Sequence, residues 1–233
     1  MSNRYERQAG AWVYDELRER IENLVYQPGQ ELQTASLTLD LGLSRSPVRD
    51  ALLRLERDRL VDIFPQKGTR VAFLDRKIIL QERFLRQTLE VRIFEEFLRK
   101  EYSQKDRLIL MSRLDGALLQ QKTALLTSDS VAFLSSDMAF HKIFYDELNY
   151  ERIYKVVMAH TGNERRIRLL NNQVGNVMEN VYNEHRAIAD AIGSGDRESA
   201  TRLLGGHFGK LSEELDMLIK VFPTYFTDDS ARQ

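Results

Sequence analysis

LSRSPVRDAL, residues 43–52, is the stretch that decides the fold of the N-terminal part of this chain. A serine followed by proline is a common helix start, which places Ser46 at the N-cap and Pro47 at the first helical position. Upstream, Thr34 can cap a short helix that Gly42 ends in the left-handed conformation. The stretch therefore predicts two short helices joined by a tight turn.

The residues on either side complete a compact unit. Apolar residues recur at helical spacing from about residue 8 to 26, where Gln-Pro-Gly at 27–29 stops the helix, and a short extended piece follows at 30–32. After the serine-proline helix, two alternating segments at 60–64 and 69–73 enclose a turn and predict a β-hairpin. Three helices plus a hairpin are typical of a winged helix-turn-helix, which we expect to occupy residues 1–75.

The remainder of the chain is expected to be a second domain that is entirely α-helical. Every long segment after Asp75 repeats its apolar residues with a helical period, and 150–172 is interrupted near Gly162. The fold class is thus mostly α, with an antiparallel helical bundle of about six helices over 76–226. The last residues, 227–233, are expected to form a disordered tail.

Composition excludes several classes of protein. The chain has 233 residues and no cysteine, so disulfides, thiolate zinc sites and cysteine nucleophiles are absent. No apolar run approaches the roughly 18 residues of a membrane span, and we expect a soluble, cytoplasmic protein. The net charge of -1 does not by itself indicate a nucleic-acid partner. A positive excess appears only over 44–70, where seven basic residues face four acidic ones.

The start of the second helix of a helix-turn-helix enters the major groove of DNA. There arginine can bond guanine, while hydroxyls and backbone amides hold phosphates. A hairpin tip with glycine can approach an adjacent groove. The candidate DNA-binding residues are Ser44, Arg45, Ser46, Arg49, Lys67 and Gly68. On charge alone, a solvated helix face explains the arginines equally well.

Residues 12–74 resemble the DNA-binding domain of the GntR family of bacterial regulators. The resemblance rests on the 43–52 stretch quoted above, on Leu55-Glu56, Leu60-Val61 and Gly68, and on Pro-Gly-Gln-Glu-Leu at 28–32. Ser-Leu-Thr-Leu at 36–39 departs from the family's usual Leu-Ala pair, which concerns the packing of the second helix. The resemblance implies a winged helix-turn-helix that binds operator DNA.

The bundle contains a constellation of polar residues at positions that should face inward. Asp137 and His141 are four residues apart and share a helix face. His185 and His207 each lie 11 residues from Asp196, where the last two helices fold back, so they fall at similar heights. Three imidazoles and a carboxylate are a ligand set for Zn²⁺, Mn²⁺ or Ni²⁺. For any one of these histidines, a hydrogen-bonded core residue is the alternative.

Residues 75–221 resemble the FCD ligand-binding domain of the FadR-like branch of the same family. Its metal-binding members carry Asp-x-x-x-His and two later histidines, which Asp137, His141, His185 and His207 match. His160 has no counterpart and is expected to be structural or peripheral. Arg92 matches an arginine of the first bundle helix and is expected to clamp a small carboxylate effector. The alternative is a structural pairing of Arg92 with Glu95 or Glu96.

These features predict a transcription regulator, more specifically a repressor, and not an enzyme. Its affinity for operator DNA would depend on a small carboxylate bound at a divalent metal. One small winged domain covers about one half-site, so we expect a homodimer. Three alternatives remain open: an acyl-CoA or other metal-independent effector, a metal-dependent hydrolase, and an architectural DNA-binding protein with a purely structural bundle.

Overall fold

The computed structural model describes residues 2–209 and 211–227. The N-terminal part combines three helices with a small sheet. Its elements are α1 (Ser2–Glu22), β1 (Glu31–Leu32), α2 (Thr34–Leu41), α3 (Arg45–Arg57), β2 (Val61–Phe64) and β3 (Gly68–Val71).

The predicted hairpin is confirmed as β2 and β3, which pair antiparallel with Val61 opposite Val71. The extended piece before α2 adds a third strand, because β1 pairs with the other edge of β3. Gly68, at the end of the turn, has a φ of 111°, a value that residues with a side chain rarely adopt. The apolar faces of α1 and α3 pack together around fully buried Leu17 and Leu55. The fold class predicted for this half, three helices plus a wing, is confirmed.

Two helix starts and one helix end differ from their predicted positions. Ser44, with extended backbone, is the N-cap of α3 in place of Ser46, and Gln33 precedes α2 in place of Thr34. Pro47 therefore lies in the third helical position, where its missing N–H has no partner within the helix to lose. The end of α1 comes at residue 22 rather than 26. Gly42 is left-handed, as predicted.

The C-terminal part is all α-helical, and no helix among the described residues is long and apolar enough to cross a membrane. Its elements are α4 (Arg76–Arg99), α5 (Gln104–Leu126), α6 (Ser130–Glu147), α7 (Glu151–Ala159), α8 (Gly162–Asn171), α9 (Val177–Ser194), α10 (Arg197–Phe208) and α11 (Leu211–Val221), followed by a 3-10 turn, Pro223–Tyr225.

Over residues 76–209 and 211–227 the structure has eight α-helices in place of the six that we expected, because two segments are divided. The break predicted near Gly162 separates α7 from α8. A side chain at Gly162 would lie 2.9 Å from Glu22 of α1 and 3.1 Å from Leu60, so the residue allows a close approach between the two parts of the chain. The predicted last helix continues as two, α10 and α11.

The core of the bundle holds α9 and α10 side by side. Phe94, Phe97, Phe140 and Phe144 form its aromatic centre, between α4 and α6. Gly195 is left-handed, with a φ of 79°, and ends α9 as predicted. Asp196 caps α10 by accepting a hydrogen bond from the amide of Ser199 at 3.0 Å. This tight turn brings the histidines of the two helices to the same height.

Helix α8 lies between the bundle and the N-terminal part. Arg166 donates to the carbonyl of Ala72, just after β3, at 2.8 Å. Glu82 of α4 accepts the amide of Glu164 at 2.8 Å and so holds the first turn of α8 in place. At the far end of the chain, the amide of Thr227 donates to Leu74 at 3.0 Å. The rest of the expected tail, 228–233, lies outside the described residues.

Candidate metal centre and nucleic-acid interface

The structure brings together the four side chains that the sequence singled out in the bundle. Asp137 and His141 come from successive turns of α6, His185 from α9 and His207 from α10. One ligand atom from each lies within 4.8 Å of the ligand atoms of the other three. The imidazole centroids are 4.7–5.3 Å apart. A single small cation could therefore contact all four.

The cluster contains buried polar atoms that have no hydrogen-bond partner among the described residues. Asp137, His141 and His185 are at most 2% exposed. Asp137 Oδ1, His141 Nε2 and His185 Nε2 make no hydrogen bond. Leaving such atoms unsatisfied costs on the order of 1–3 kcal/mol each. A divalent ion bound by these atoms would remove that cost, and the donor set of imidazole and carboxylate fits Zn²⁺, Mn²⁺ or Ni²⁺.

In each of the three imidazole rings, Nδ1 lies close to a side-chain oxygen of another residue. Gln121 Oε1 of α5 lies 3.0 Å from His185 Nδ1, and Glu184 Oε2 lies 2.8 Å from His207 Nδ1. Glu90 Oε2 of α4 lies 2.8 Å from His141 Nδ1, in ion-pair range although not aligned as a linear hydrogen bond. These three oxygens surround the cluster from outside.

Electrostatics favour the protonation states that bind a metal. Burial lowers the pKa of His185 well below its usual value, and the neighbouring His207 lowers it further. Burial also lowers the pKa of His207. Burial alone would raise the pKa of Asp137, but the guanidinium of Arg168 together with the other charges around it outweighs burial, and the pKa lies well below the usual range. A carboxylate with neutral imidazoles is the form that coordinates metals.

A cavity of about 90 Å³ opens beside the cluster. It includes Asp137 and His207, and Arg168 of α8 lines it while contacting the Asp137 carboxylate. Arg83 of α4 is the second cation in its wall. The other lining residues are Ile167, Asn171, Asn172, Val177, Asn180, Val181, Glu184 and Glu214. The cavity thus offers two guanidinium groups and three amides next to the candidate metal.

Arg92, the predicted effector clamp, is not part of this cavity. Its side chain is 59% exposed and pairs with Glu95 at 3.1 Å, the alternative that the sequence left open. The inward-facing residues of this part of α4 are Arg86 and Glu90, which pair at 2.7 Å. The helical phase explains the difference, because Arg92 is two residues beyond Glu90 and therefore points to another side of the helix.

Several functional candidates were missed by sequence reasoning. No sequence motif pointed to Arg168, Arg83, Glu90 or Gln121. Glu90 lies two residues before Arg92. Its spacing of four residues from Arg86 is typical of an ion pair on one helix face and could have indicated this pair. His160 is exposed at the end of α7, away from the cluster, as expected.

The predicted DNA-contacting residues lie on an accessible surface. Ser44, Arg45, Ser46 and Arg49 are exposed at the start of α3, while Pro47 and Val48 beneath them are buried. Among the described residues neither Arg45 nor Arg49 has an ion-pair partner, so both guanidinium groups are available to DNA. Lys67 and Gly68 are exposed at the tip of the β2–β3 wing.

Comparisons with known proteins match the N-terminal and the C-terminal part of the chain to two different family models. Residues 10–71 match the model of the bacterial regulatory proteins of the gntR family, and residues 84–210, more than half of the chain, match that of the FCD domain. An HTH-type transcriptional regulator in an unstable DNA locus of Streptomyces ambofaciens is 27% identical over 94% of this chain and 90% of its own length. The Escherichia coli transcriptional repressor RspR is 22% identical over 93% of each chain.

A solved structure shows the same fold. A GntR transcriptional regulator from Rhodococcus sp. RHA1 superposes with a TM-score of 0.70, at 23% identity, over 90% of this chain and 97% of that one. At this identity the likeness concerns the fold alone. With both models matched in the expected order, the chain is a transcriptional regulator that belongs to the GntR family and carries an FCD domain.

Proposed function

We propose that this regulator is a repressor whose affinity for operator DNA is controlled by a small carboxylate bound at a divalent metal in the FCD domain. Residues 1–75 bind DNA, and residues 76–226 bind the effector and hold two copies together as a homodimer. The observation that carries the proposal is the group of buried, unpartnered ligand atoms of Asp137, His141 and His185.

A carboxylate fits the cavity by charge and by size. The cavity wall has two arginines and three carboxylates, so a divalent ion at the cluster would leave an excess of one positive charge. Such an ion supplies an open coordination position for a carboxylate oxygen. Arg168 and the asparagines beside it can donate hydrogen bonds to the same anion. A volume of about 90 Å³ favours a small acid over an acyl-CoA.

Helix α8 gives the effector site a physical connection to the DNA-binding half. Arg168 contacts Asp137 at the candidate centre. One turn earlier, Arg165 donates to Asn23 at 3.1 Å and lies 3.4 Å from Glu22 at the end of α1. An anion that draws Arg168 away from Asp137 would shift α8 and these contacts together. Differential contacts of this kind are the condition for a ligand to change DNA affinity.

The carboxylate site is tested by comparing two arginine variants. In Zn²⁺-loaded protein, Arg168→Ala is expected to weaken binding of a small carboxylate roughly tenfold or more, as for loss of a charged hydrogen bond. Arg92→Ala, a matched loss of charge on an exposed surface, should bind as wild type does. Calorimetry with citrate, gluconate and acetate measures both.

Metal content must be measured in each variant, because Arg168 also contacts a candidate ligand. Arg168→Lys separates the two effects, since it keeps the charge near Asp137 but loses the planar pair of donors. The assignment of Arg168 is wrong if Arg92→Ala weakens carboxylate binding and Arg168→Ala, with full metal content, does not.

The hydrolase alternative fits the cavity less well than effector binding does. A catalytic metal site needs a general acid or base near the open position. Glu184 already contacts His207, and Glu90 contacts Arg86 and His141, so this alternative would need Glu214 of the cavity wall as its base. Regulation without catalysis also accounts for the DNA-binding half of the chain.

A further inference from the structure

The three histidines of the candidate centre share one arrangement. In each, Nδ1 faces a side-chain oxygen from a different helix: Glu90 of α4, Gln121 of α5 and Glu184 of α9. The Nδ1 to oxygen distances lie between 2.8 and 3.0 Å. The other nitrogen, Nε2, of His141 and of His185 is buried and has no hydrogen-bond partner among the residues that the structure describes.

An acceptor at Nδ1 decides which tautomer a neutral imidazole adopts. The ring has one N–H and one lone pair, and an oxygen beside Nδ1 draws the proton to that atom. The lone pair then resides on Nε2, which is the atom that can bind a metal. The arrangement therefore leaves the lone pair on Nε2 of each histidine, in a cluster where one ligand atom from each residue lies within 4.8 Å of the others.

Gln121 is the member of this set whose presence packing does not explain. Its side chain is fully buried, and its own Nε2 has no hydrogen-bond partner. Burying an amide with an unsatisfied group is costly, so a residue serving only to fill space would be apolar. Within the part of the chain that the structure describes, the one polar contact of its side chain is with His185.

His185 depends on this contact more than the other histidines do on theirs. Its ring is fully buried and stacks on Phe140 with centroids 4.4 Å apart and planes at 12°. Stacking holds the plane of the ring but does not distinguish its two nitrogens. The oxygen of Gln121 supplies that distinction, because it accepts only from a protonated Nδ1.

We propose that Gln121 is a positioning residue of the metal centre, which holds His185 with its proton on Nδ1 and its Nε2 directed at the ion. Glu184 acts in the same way on His207, and Glu90 lies within ion-pair range of Nδ1 of His141. The inference rests on the proposed metal site and adds which atom of each histidine coordinates and which residue determines that choice.

Affinity for Zn²⁺, measured by competition with a chromophoric chelator, tests the role of Gln121. Gln121→Met removes the acceptor at similar volume and should weaken binding by about 10- to 100-fold. Gln121→Glu keeps an acceptor oxygen and should restore affinity to near the wild-type value. Gln120→Met, on the exposed face of the same helix, should have no effect.

The order of the Zn²⁺ affinities of Gln121→Met and Gln121→Glu distinguishes a positioning role from a packing role. If Gln121 only filled space, the apolar methionine would be tolerated and the buried glutamate would be harmful. Zn²⁺ affinity in Gln121→Met equal to that of the wild type, or a loss in Gln121→Glu as large as in Gln121→Met, would overturn the proposal.

A spectroscopic measurement identifies the coordinating atoms directly in the wild-type protein. With NMR-active cadmium in the site and isotopically labelled histidine, metal–nitrogen coupling is expected at Nε2 of His141, His185 and His207, and at neither nitrogen of His160. Coupling at Nδ1 of His185 overturns the inference while leaving the metal site intact. A wild-type protein that binds neither Zn²⁺ nor cadmium overturns the metal site itself.

Discussion

His185→Ala and His207→Ala proteins are expected to lose stoichiometric Zn²⁺ and, with it, the stabilisation that metal gives the wild type. Each substitution removes one of four ligands that converge within 4.8 Å. An ion that binds only the folded state stabilises it by about 2.7 kcal/mol at a concentration of 100 times its Kd. Metal analysis after desalting, and melting temperatures with and without a chelator, measure both effects.

Truncating a buried histidine also leaves a cavity, which lowers stability without any metal. The increase in melting temperature on adding Zn²⁺ is therefore the quantity to compare, not the melting temperature alone. His160→Ala is the control, because that histidine is exposed and lies outside the cluster. If adding Zn²⁺ raised the melting temperature of His185→Ala as much as that of His160→Ala, the metal site would be refuted.

Operator affinity is expected to fall strongly when Arg45 and Arg49 are replaced by alanine. Both guanidinium groups are exposed at the start of α3. A bidentate contact with guanine is worth about 1–3 kcal/mol, so each single variant should bind roughly 5- to 150-fold more weakly, and the double variant more weakly still. Gel-shift titration of a DNA fragment selected by the wild-type protein measures the loss.

Arg57→Ala is the matched control for charge. Arg57 lies in the last turn of the same helix and is also exposed, but it is distant from the end that enters the groove. An equal loss of affinity in Arg57→Ala would show that net charge, rather than base or phosphate contacts at the start of α3, determines binding.

The parts of the fold that the sequence predicts are those set by local patterns. Left-handed Gly42 and Gly195 end their helices, and Asp196 caps the next one, because these effects involve residues only a few positions apart. The same local geometry predicted that His185 and His207 would meet, since each is an equal distance from the turn between α9 and α10.

The parts that the sequence does not predict depend on partners far apart in the chain. Arg168 contacts Asp137, which lies 31 residues earlier in the chain, and Arg83 contacts Glu164, which lies 81 residues later. The spacing of apolar residues along a helix does not predict which distant side chains such a residue will contact. Arg92 was favoured because it matches an arginine on the first bundle helix of the family that the chain resembles. The buried pair of Arg86 and Glu90 shows that charged residues occupy the inner face of α4 instead.

The operator dissociation constant, measured with and without a small carboxylate, tests the central proposal most directly. For Zn²⁺-loaded wild type, a carboxylate that binds in calorimetry should change operator affinity by about 5- to 150-fold, a usual range for coupled sites. The same carboxylate should have no effect on the His185→Ala protein or after chelation. An operator affinity that is indifferent to bound carboxylate and to metal would contradict the account.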